Sequence, residues 1–360
     1  MTESEKQGKV IDLQEAVERH VRPGMSIHLA AGIGGPSAAV CEIIRRFYRK
    51  TPGFTLIQST VTGHAVNLVH ARLVKKLICS VCAHIAVSGR PSRVIQDALE
   101  QKEIELENWT LNSLQQRLMA GAMGVPFMPT RSVFGSSIAD DNPHSFKSMK
   151  DPFRPGATVG LASALVPDLS IVHGCVADSE GNTIMAAPYG EDLWGALAAR
   201  EGVIVTVEKI VPAEFIRRHA AMVKIPSYMV NAVARAPFGL HPFSMANPGI
   251  SGMEPYEKDV DFLNVLYEAA ASEHALEDWI KEWVLDAGTH ERYLDKLGAE
   301  RLDGLKKQSG RMKSEFSAAP SPGVEPDGIF EPGEMMLIAL AREILAGVEA
   351  RGHKVVLAGA

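Results

Sequence analysis

The 360 residues, 46% apolar and 22% charged, have an ordinary globular composition and enough length for one large α/β domain or two smaller ones. A net charge of −6 excludes a broad affinity for nucleic acid or anionic membrane. The polar opening Met1-Thr-Glu-Ser-Glu and the lack of a long apolar run predict neither signal peptide nor membrane span, and four cysteines are too few for a disulfide framework, so the expectation is a cytoplasmic protein.

Apolar spacing predicts a helix over 10–21, with Leu13, Ala16, Val17 and Val21 on one face and Arg22-Pro-Gly24 ending it. A short apolar strand over 26–31 runs into Gly32-Ile-Gly-Gly-Pro-Ser37, and a helix with an apolar stripe at Val40, Ile43, Ile44 and Phe47 follows. Gly32, Gly34 and Gly35 allow a sharp turn and close backbone approach. Pro36 suits the first turn of a helix, whose dipole and N–H groups face the loop. Strand, glycine loop and helix in this order make a place for an anion, a phosphate or a developing oxyanion. The loop lacks the full G-x-G-x-x-G spacing, and no acidic residue stands about 20 residues on, which argues against a dinucleotide oxidoreductase.

Strands over 54–58 and 74–87 continue the alternation, with strand-end loops Ser59-Thr-Val-Thr-Gly-His64 and Ser88-Gly-Arg-Pro-Ser92. Helix, strand, helix, strand is the pattern of a parallel α/β sheet, whose ligands sit at the carboxyl ends of the strands. Cys79 and Cys82 form a C-x-x-C inside an apolar strand-like run, where positions three apart face opposite sides. A redox or zinc pair would need a turn there, so the two read as buried strand cysteines, and Cys41 and Cys175 as core. Glu103, Glu105 and Glu107 alternate with Ile104 and Leu106 without a nearby histidine, and read as a solvated face with no metal site. A helix over 110–123 and the extended segment Val125-Pro-Phe-Met-Pro129 lead to the small-residue loop Phe134-Gly-Ser-Ser137.

Residues 139–156 read as a surface excursion, followed by strands over 158–162 and 169–176. Asp178-Ser-Glu-Gly-Asn182 reads as a hairpin turn rather than a catalytic group. A helix over 191–200 and strands over 203–211 and 228–234 come next, then helices over 256–273, 277–285 and 290–297. Trp279 and Trp283 on one helical face read as core or subunit interface. The segment 318–328 has the composition of a linker, and beyond it a helix and a strand repeat the opening of the chain.

Several stretches together carry a family resemblance: Val125-Pro-Phe-Met-Pro129, Asp151-Pro-Phe-Arg-Pro-Gly156, Ser170-Ile-Val-His-Gly174, Asp178-Ser-Glu-Gly-Asn182, Val205-Thr-Val-Glu-Lys-Ile-Val-Pro212, Ala236-Pro-Phe-Gly-Leu-His-Pro242, and the helical segments from Trp279 and His290. Their order over 8–308 resembles the α subunit of family I coenzyme A transferases of the glutaconate type, and 334–359 resembles the opening of the β subunit. The resemblance implies an α/β fold with a mostly parallel sheet flanked by helices and a helical C-terminal part. It divides the chain into an α-type domain over 1–310, a linker over 311–330 and the start of a β-type half over 331–360.

It also implies chemistry. A glutamate of the β part attacks an acyl-CoA thioester, and the CoA passes through a glutamyl thioester to an incoming carboxylate. No catalytic residue is therefore assigned in this chain. A β-type subunit is expected as partner in an α2β2 or higher hetero-oligomer, with coenzyme A thioester as substrate and no tightly bound cofactor. The expected substrate-binding residues are Gly32, Gly34, Gly35, Ser37, Gly63, Ser88, Gly135 and Ser136, gathered on one rim of the sheet. Relatives often carry an arginine in or just after the first loop. Its absence from 34–38 argues against a dicarboxylate substrate. Hydrolase relatives place a carboxylate before the Pro-Phe-x-Pro segment, where this chain has Trp109-Thr-Leu-Asn-Ser113. An acyl-CoA hydrolase or decarboxylase, or a non-catalytic acyl-CoA-binding subunit, is the alternative.

Overall fold

The helix–strand alternation winds one large sheet in two directions from its centre. In the computed structural model, residues 8–30, 35–83, 91–187 and 189–316 are described. The first winding runs through α1 (Leu13–His20), β1 (Ser26–Ala30), α2 (Ser37–Phe47), β2 (Phe54–Ile57), β3 (Thr60–Val61), α3 (His64–His70), β4 (Val74–Cys79), β5 (Val81–Cys82), α4 (Arg93–Glu100) and β6 (Glu105–Asn108). An excursion follows: α5 (Leu111–Ala122), β7 (Phe127–Thr130), α6 (Ser137–Asp141), β8 (Phe146–Lys150) and β9 (Thr158–Ser163). The second winding comprises β10 (Leu169–Ala177), β11 (Thr183–Ile184), α7 (Gly190–Ala198), β12 (Val203–Ile210), α8 (Ala213–Arg218), β13 (Val223–Ile225) and β14 (Val230–Arg235). The chain then forms α9 (Val260–Ala269), α10 (Glu273–Ile280), a π-helical turn over Lys281–Leu285, α11 (His290–Leu297) and α12 (Ala299–Phe316).

Seven strands run parallel in the order β14-β12-β10-β1-β2-β4-β6; β11 pairs antiparallel with the last two residues of β10, and β13 pairs antiparallel with β11. Period-2 alternation decides which face each side chain joins. Ile27 and Leu29 of β1 pack with Val17 of α1 and Ile43 of α2. Ala30 faces the other way, with Ala196 of α7 and Val205 of β12. On that second face Trp109, Leu114 and Leu118 bury Ile57 and Ile78. The fold is thus a mostly parallel sheet between helical layers. A further aromatic group lies on the first side: the Phe262 ring meets Trp283 at 4.9 Å and Trp279 at 5.6 Å between centroids, so both tryptophans pack into aromatic core.

Several elements depart from the periodicity. Val10 pairs with Val233 in an isolated bridge, so α1 starts only at Leu13. The predicted strand-end loop over 59–64 continues into α3, a buried seven-residue helix whose apolar content runs all round and shows no period. Strand β9 joins β7 and β8 in a separate antiparallel sheet. Glu107 is not part of a solvated face, because its carboxylate takes Lys76, Arg117 and the Trp109 indole N–H. The opposite-faces argument for Cys79 and Cys82 also fails. The N–H groups of Ser80 and Val81 both donate to Ser59 O at 3.0 Å, which breaks the strand at Ser80. The two Sγ atoms come to 3.3 Å. Helix α12 runs through 311–316, the first residues of the linker expected over 311–330; the rest of that linker and the β-type repeat expected over 331–360 lie outside the described residues.

Candidate functional site

From β1 the chain builds outward through β2, β4 and β6, then returns to β10 and builds the other way through β12 and β14. Where the winding reverses, between β1 and β10, the two crossovers leave to opposite faces and open a crevice at the strands' carboxyl ends. Gly35, which leads into α2, lies at this point beside Gln58 at the end of β2.

The described part of the crevice is polar and deeply set. His28 of β1 is fully buried, with Nδ1 2.8 Å from Ser170 Oγ of β10 and Nε2 3.2 Å from Glu191 Oε1. An ionised carboxylate only accepts, so Nε2 carries a proton toward it, and in the neutral ring Nδ1 accepts from the Ser170 hydroxyl. The same Glu191 oxygen accepts the Ser59 N–H at 3.0 Å, just beyond the end of β2. Glu191 lies in the first turn of α7, where the helix dipole favours a negative charge. The helix lies very close to the sheet here, since a Cβ on Gly195 would fall 2.1 Å from His28 Cε1.

Next to this group is Gln58, 1% exposed, with neither Nε2 nor Oε1 hydrogen-bonded. A Cβ on Gly35 would stand 3.0 Å from its Nε2, and Gly35 has φ +76°. A buried amide without partners costs about 1–3 kcal/mol for each unpaired group. Ser80 Oγ, beyond the end of β4, is also buried without a partner. Unmade hydrogen bonds thus stand at the carboxyl ends of β2 and β4, as they also do in α3 at His64 and Asn67.

The start of α2 is held from the far side of the sheet. Ala38 N–H donates to Gly239 O at 3.0 Å and Ser37 Oγ donates to Leu240 O at 3.2 Å. The loop that supplies these carbonyls is fixed by buried charge. Glu208 accepts His173 Nε2 at 2.9 Å, the Tyr256 hydroxyl at 3.1 Å and the Phe238 N–H at 2.9 Å. Burial opposes its charge, but these donors and the His173 charge outweigh burial and hold the carboxyl below its ordinary value. His241 lies between Tyr293 OH at 2.6 Å and Asp259 Oδ2 at 3.0 Å. Arg301 grips Asp259 with two hydrogen bonds. Asp178 accepts the Glu180 and Asn182 N–H groups and so does the work of a turn.

The structure brings together only part of the expected rim. Gly35 lies in the crevice beside Gln58, and the hydroxyl of Ser37 is directed inward to Leu240. Gly63 has φ +54° and faces the Phe243 ring, 2.6 Å from where its Cβ would be. Gly135 has φ +72° with open space around it, and Ser136 Oγ donates to Val133 O at 2.6 Å. Those two follow β7 of the small antiparallel sheet. Asn142 Nδ2 donates to Asn108 O and ties this region to the end of the edge strand β6, three strands from β1, or about 14 Å at ordinary strand spacing. Gly32, Gly34 and Ser88 lie outside the described residues. The periodicity missed His28, Gln58 and Glu191. A histidine inside an apolar strand and a glutamine immediately after one were the available signals.

Among the described residues no helix is long and apolar enough to cross a membrane, and no group of three or more acidic, histidine or cysteine side chains is placed to hold a metal. A family model described as Coenzyme A transferase matches residues 10–236. A glutaconate CoA-transferase subunit from Acidaminococcus fermentans is 30% identical over 314 residues, 83% of this chain and 94% of the relative. The crystal structure of that enzyme aligns with TM-score 0.74 at 29% identity, covering 83% of this chain and 95% of the other. A 3-oxoadipate CoA-transferase subunit from Pseudomonas knackmussii is 28% identical over 287 residues, 77% of this chain and 93% of the relative. A solved variant of the decarboxylase AibA/AibB aligns with TM-score 0.63 at 26% identity over 77% of this chain and 98% of its own.

Proposed function

Because the chain belongs to the coenzyme A transferase family, we propose that it is the α-type subunit of an acyl-CoA:carboxylate CoA-transferase, forming the wall of the acyl-CoA cleft at the carboxyl ends of β1 and β2. The observation that carries this reading is the buried, unpartnered Gln58 amide at the point where the sheet's winding reverses. Its Nε2 donates to a carbonyl or carboxylate oxygen of the acyl group, and its Oε1 accepts from an amide or hydroxyl of the substrate. Glu191 and His28 hold the Ser59 backbone and so fix the amide next to it. Gly35 leaves the Gln58 amide free, because a side chain there would close on Nε2. Ser37 and the 236–242 loop set the start of α2 and are positioning groups.

The nucleophile comes from the β-type partner. Its glutamate carboxylate attacks the thioester carbon, the oxyanion is met by N–H donors of the cleft, and CoA thiolate leaves with an acyl-glutamyl anhydride behind. The thiolate attacks the glutamyl carbon of the anhydride, releasing the product carboxylate and leaving a glutamyl-CoA thioester. An acceptor carboxylate then takes the CoA by the reverse steps. The chain alone is inactive.

The test is co-expression with a β-type partner, followed by an assay of CoA exchange between acyl-CoAs and carboxylates. Exchange by the complex alone, with borohydride labelling a partner glutamate, is the expected result. Full exchange by this chain without a partner overturns the assignment. Release of CoA to water without an acceptor makes the hydrolase the correct reading, and loss of carbon dioxide makes it the decarboxylase.

A further inference from the structure

Cys79 and Cys82 end two consecutive short strands that belong to different sheets. Strand β4 pairs with β2 and β6, whereas β5 pairs with β3. The step between them is the Ser80–Val81 turn, whose two N–H groups converge on Ser59 O. That turn is what a C-x-x-C needs to put both sulfurs on one side, and the Sγ atoms lie 3.3 Å apart as free thiols. Cys79 is 1% exposed, while Cys82 is only partly buried. Cys82 is thus the more exposed residue of the pair.

We propose that Cys79 and Cys82 form a reversible dithiol–disulfide site, with Cys82 as the attacking thiol and Cys79 as the resolving one, open to two-electron oxidants of the peroxide or disulfide class. With glutathione disulfide, the Cys82 thiolate attacks one sulfur and expels a glutathione thiolate, leaving a mixed disulfide. Cys79 gives up its proton, attacks Cys82 Sγ and expels the second glutathione. Two protein thiols are oxidised to one disulfide, and one glutathione disulfide is reduced to two thiols. The contact between the two sulfurs works against burial, so one thiol of the pair ionises more readily than a lone buried thiol. Cys41 and Cys175, each buried and pushed up to about 12 by burial, are inert by comparison.

Closure is felt at the rim. The sulfurs must close from 3.3 Å to about 2.05 Å, and whatever part of that movement the two side chains do not take up falls on the Ser80–Val81 turn between them. That turn hangs on Ser59 O, and the Ser59 N–H is the group held by Glu191.

The experiment treats the full native chain with glutathione disulfide and maps peptides by mass, with hydrogen exchange read at the Ser80 and Val81 amides. The expected product links Cys79 to Cys82, reverts with dithiothreitol and shows altered exchange at those amides, while Cys41 and Cys175 stay alkylatable only after unfolding. Cys79→Ser should instead trap the mixed glutathione disulfide on Cys82. A native chain that stops at mixed disulfide on Cys82, or in which the pair is no more reactive than Cys41 and Cys175, overturns the proposal. None of these readouts depends on the enzymatic reading.

Discussion

Glu107 lies between Lys76, whose Nζ is 2.5 Å from Oε2, and Arg117, which is 3% exposed and stacks on Trp109 at 4.5 Å. Burial pushes the carboxyl up, but Lys76, Arg117 and the Trp109 N–H bring it down from the ordinary 4.5 to about 2. A depressed folded-state value means that the ionised carboxylate stabilises the fold above about pH 4.5. That contribution is lost as pH falls toward 2. Glu107→Gln removes the contribution and leaves a buried guanidinium without its counter-ion, a change that costs about 3 kcal/mol at neutral pH. Denaturant titrations should show this gap between the two proteins closing as pH falls from 4.5 toward 2. A gap constant over that range would mean that Glu107 is not the titrating group.

At the level of the element, α7 carries the site. Its first turn supplies Glu191, and Gly195 one turn on lets the helix lie against the His28 ring. That ring cannot yield, because both nitrogens are engaged. Gly195→Ala puts a methyl 2.1 Å from His28 Cε1, so the helix must lift. We expect a loss of about 1–3 kcal/mol by thermal or chemical denaturation, together with loss of CoA exchange in the complex. Wild-type activity in this variant would show that the distance between α7 and the rim is not set by Gly195. The elements also show what the sequence made legible. β1 and α2 stand out because Gly35 and Pro36 punctuate a clean change from strand to helical period. α3 does not, since six of its seven residues are buried and show no stripe. The sheet of β7, β8 and β9 was hidden because period-2 alternation marks a strand such as β9 without naming its partner, and because β8 lies in the polar stretch 139–156 that reads as a surface excursion. The Cys79–Cys82 contact was hidden for a related reason: the break at Ser80 is made by Ser59, twenty-one residues away. Gln58 and Glu191 escaped notice because a group without a partner, or a carboxylate that fixes a remote backbone N–H, exists only in three dimensions.

At the level of the whole molecule, the point where the winding reverses collects Gly35, Gln58, Ser170 and Glu191 from both windings, so a ligand there ties together the two halves of the sheet. Stability and binding then pull against each other at Gln58. With both ends of its amide buried and unpaired, the unliganded protein carries a penalty that a ligand relieves. Gln58→Met keeps the length of the side chain and removes the polar ends. Unliganded, the variant should be more stable than wild type by about 1–2 kcal/mol. With the β-type partner present and acetyl-CoA at a hundred times its Kd, the wild-type complex should gain about 2.7 kcal/mol, whereas the variant at the same concentration should gain little. Thermal denaturation of the two complexes, with and without acetyl-CoA, reads both effects. A variant that is less stable without ligand would mean that Gln58 is satisfied in the native protein. A variant that keeps the full ligand-induced shift would place the acyl-CoA elsewhere on the molecule.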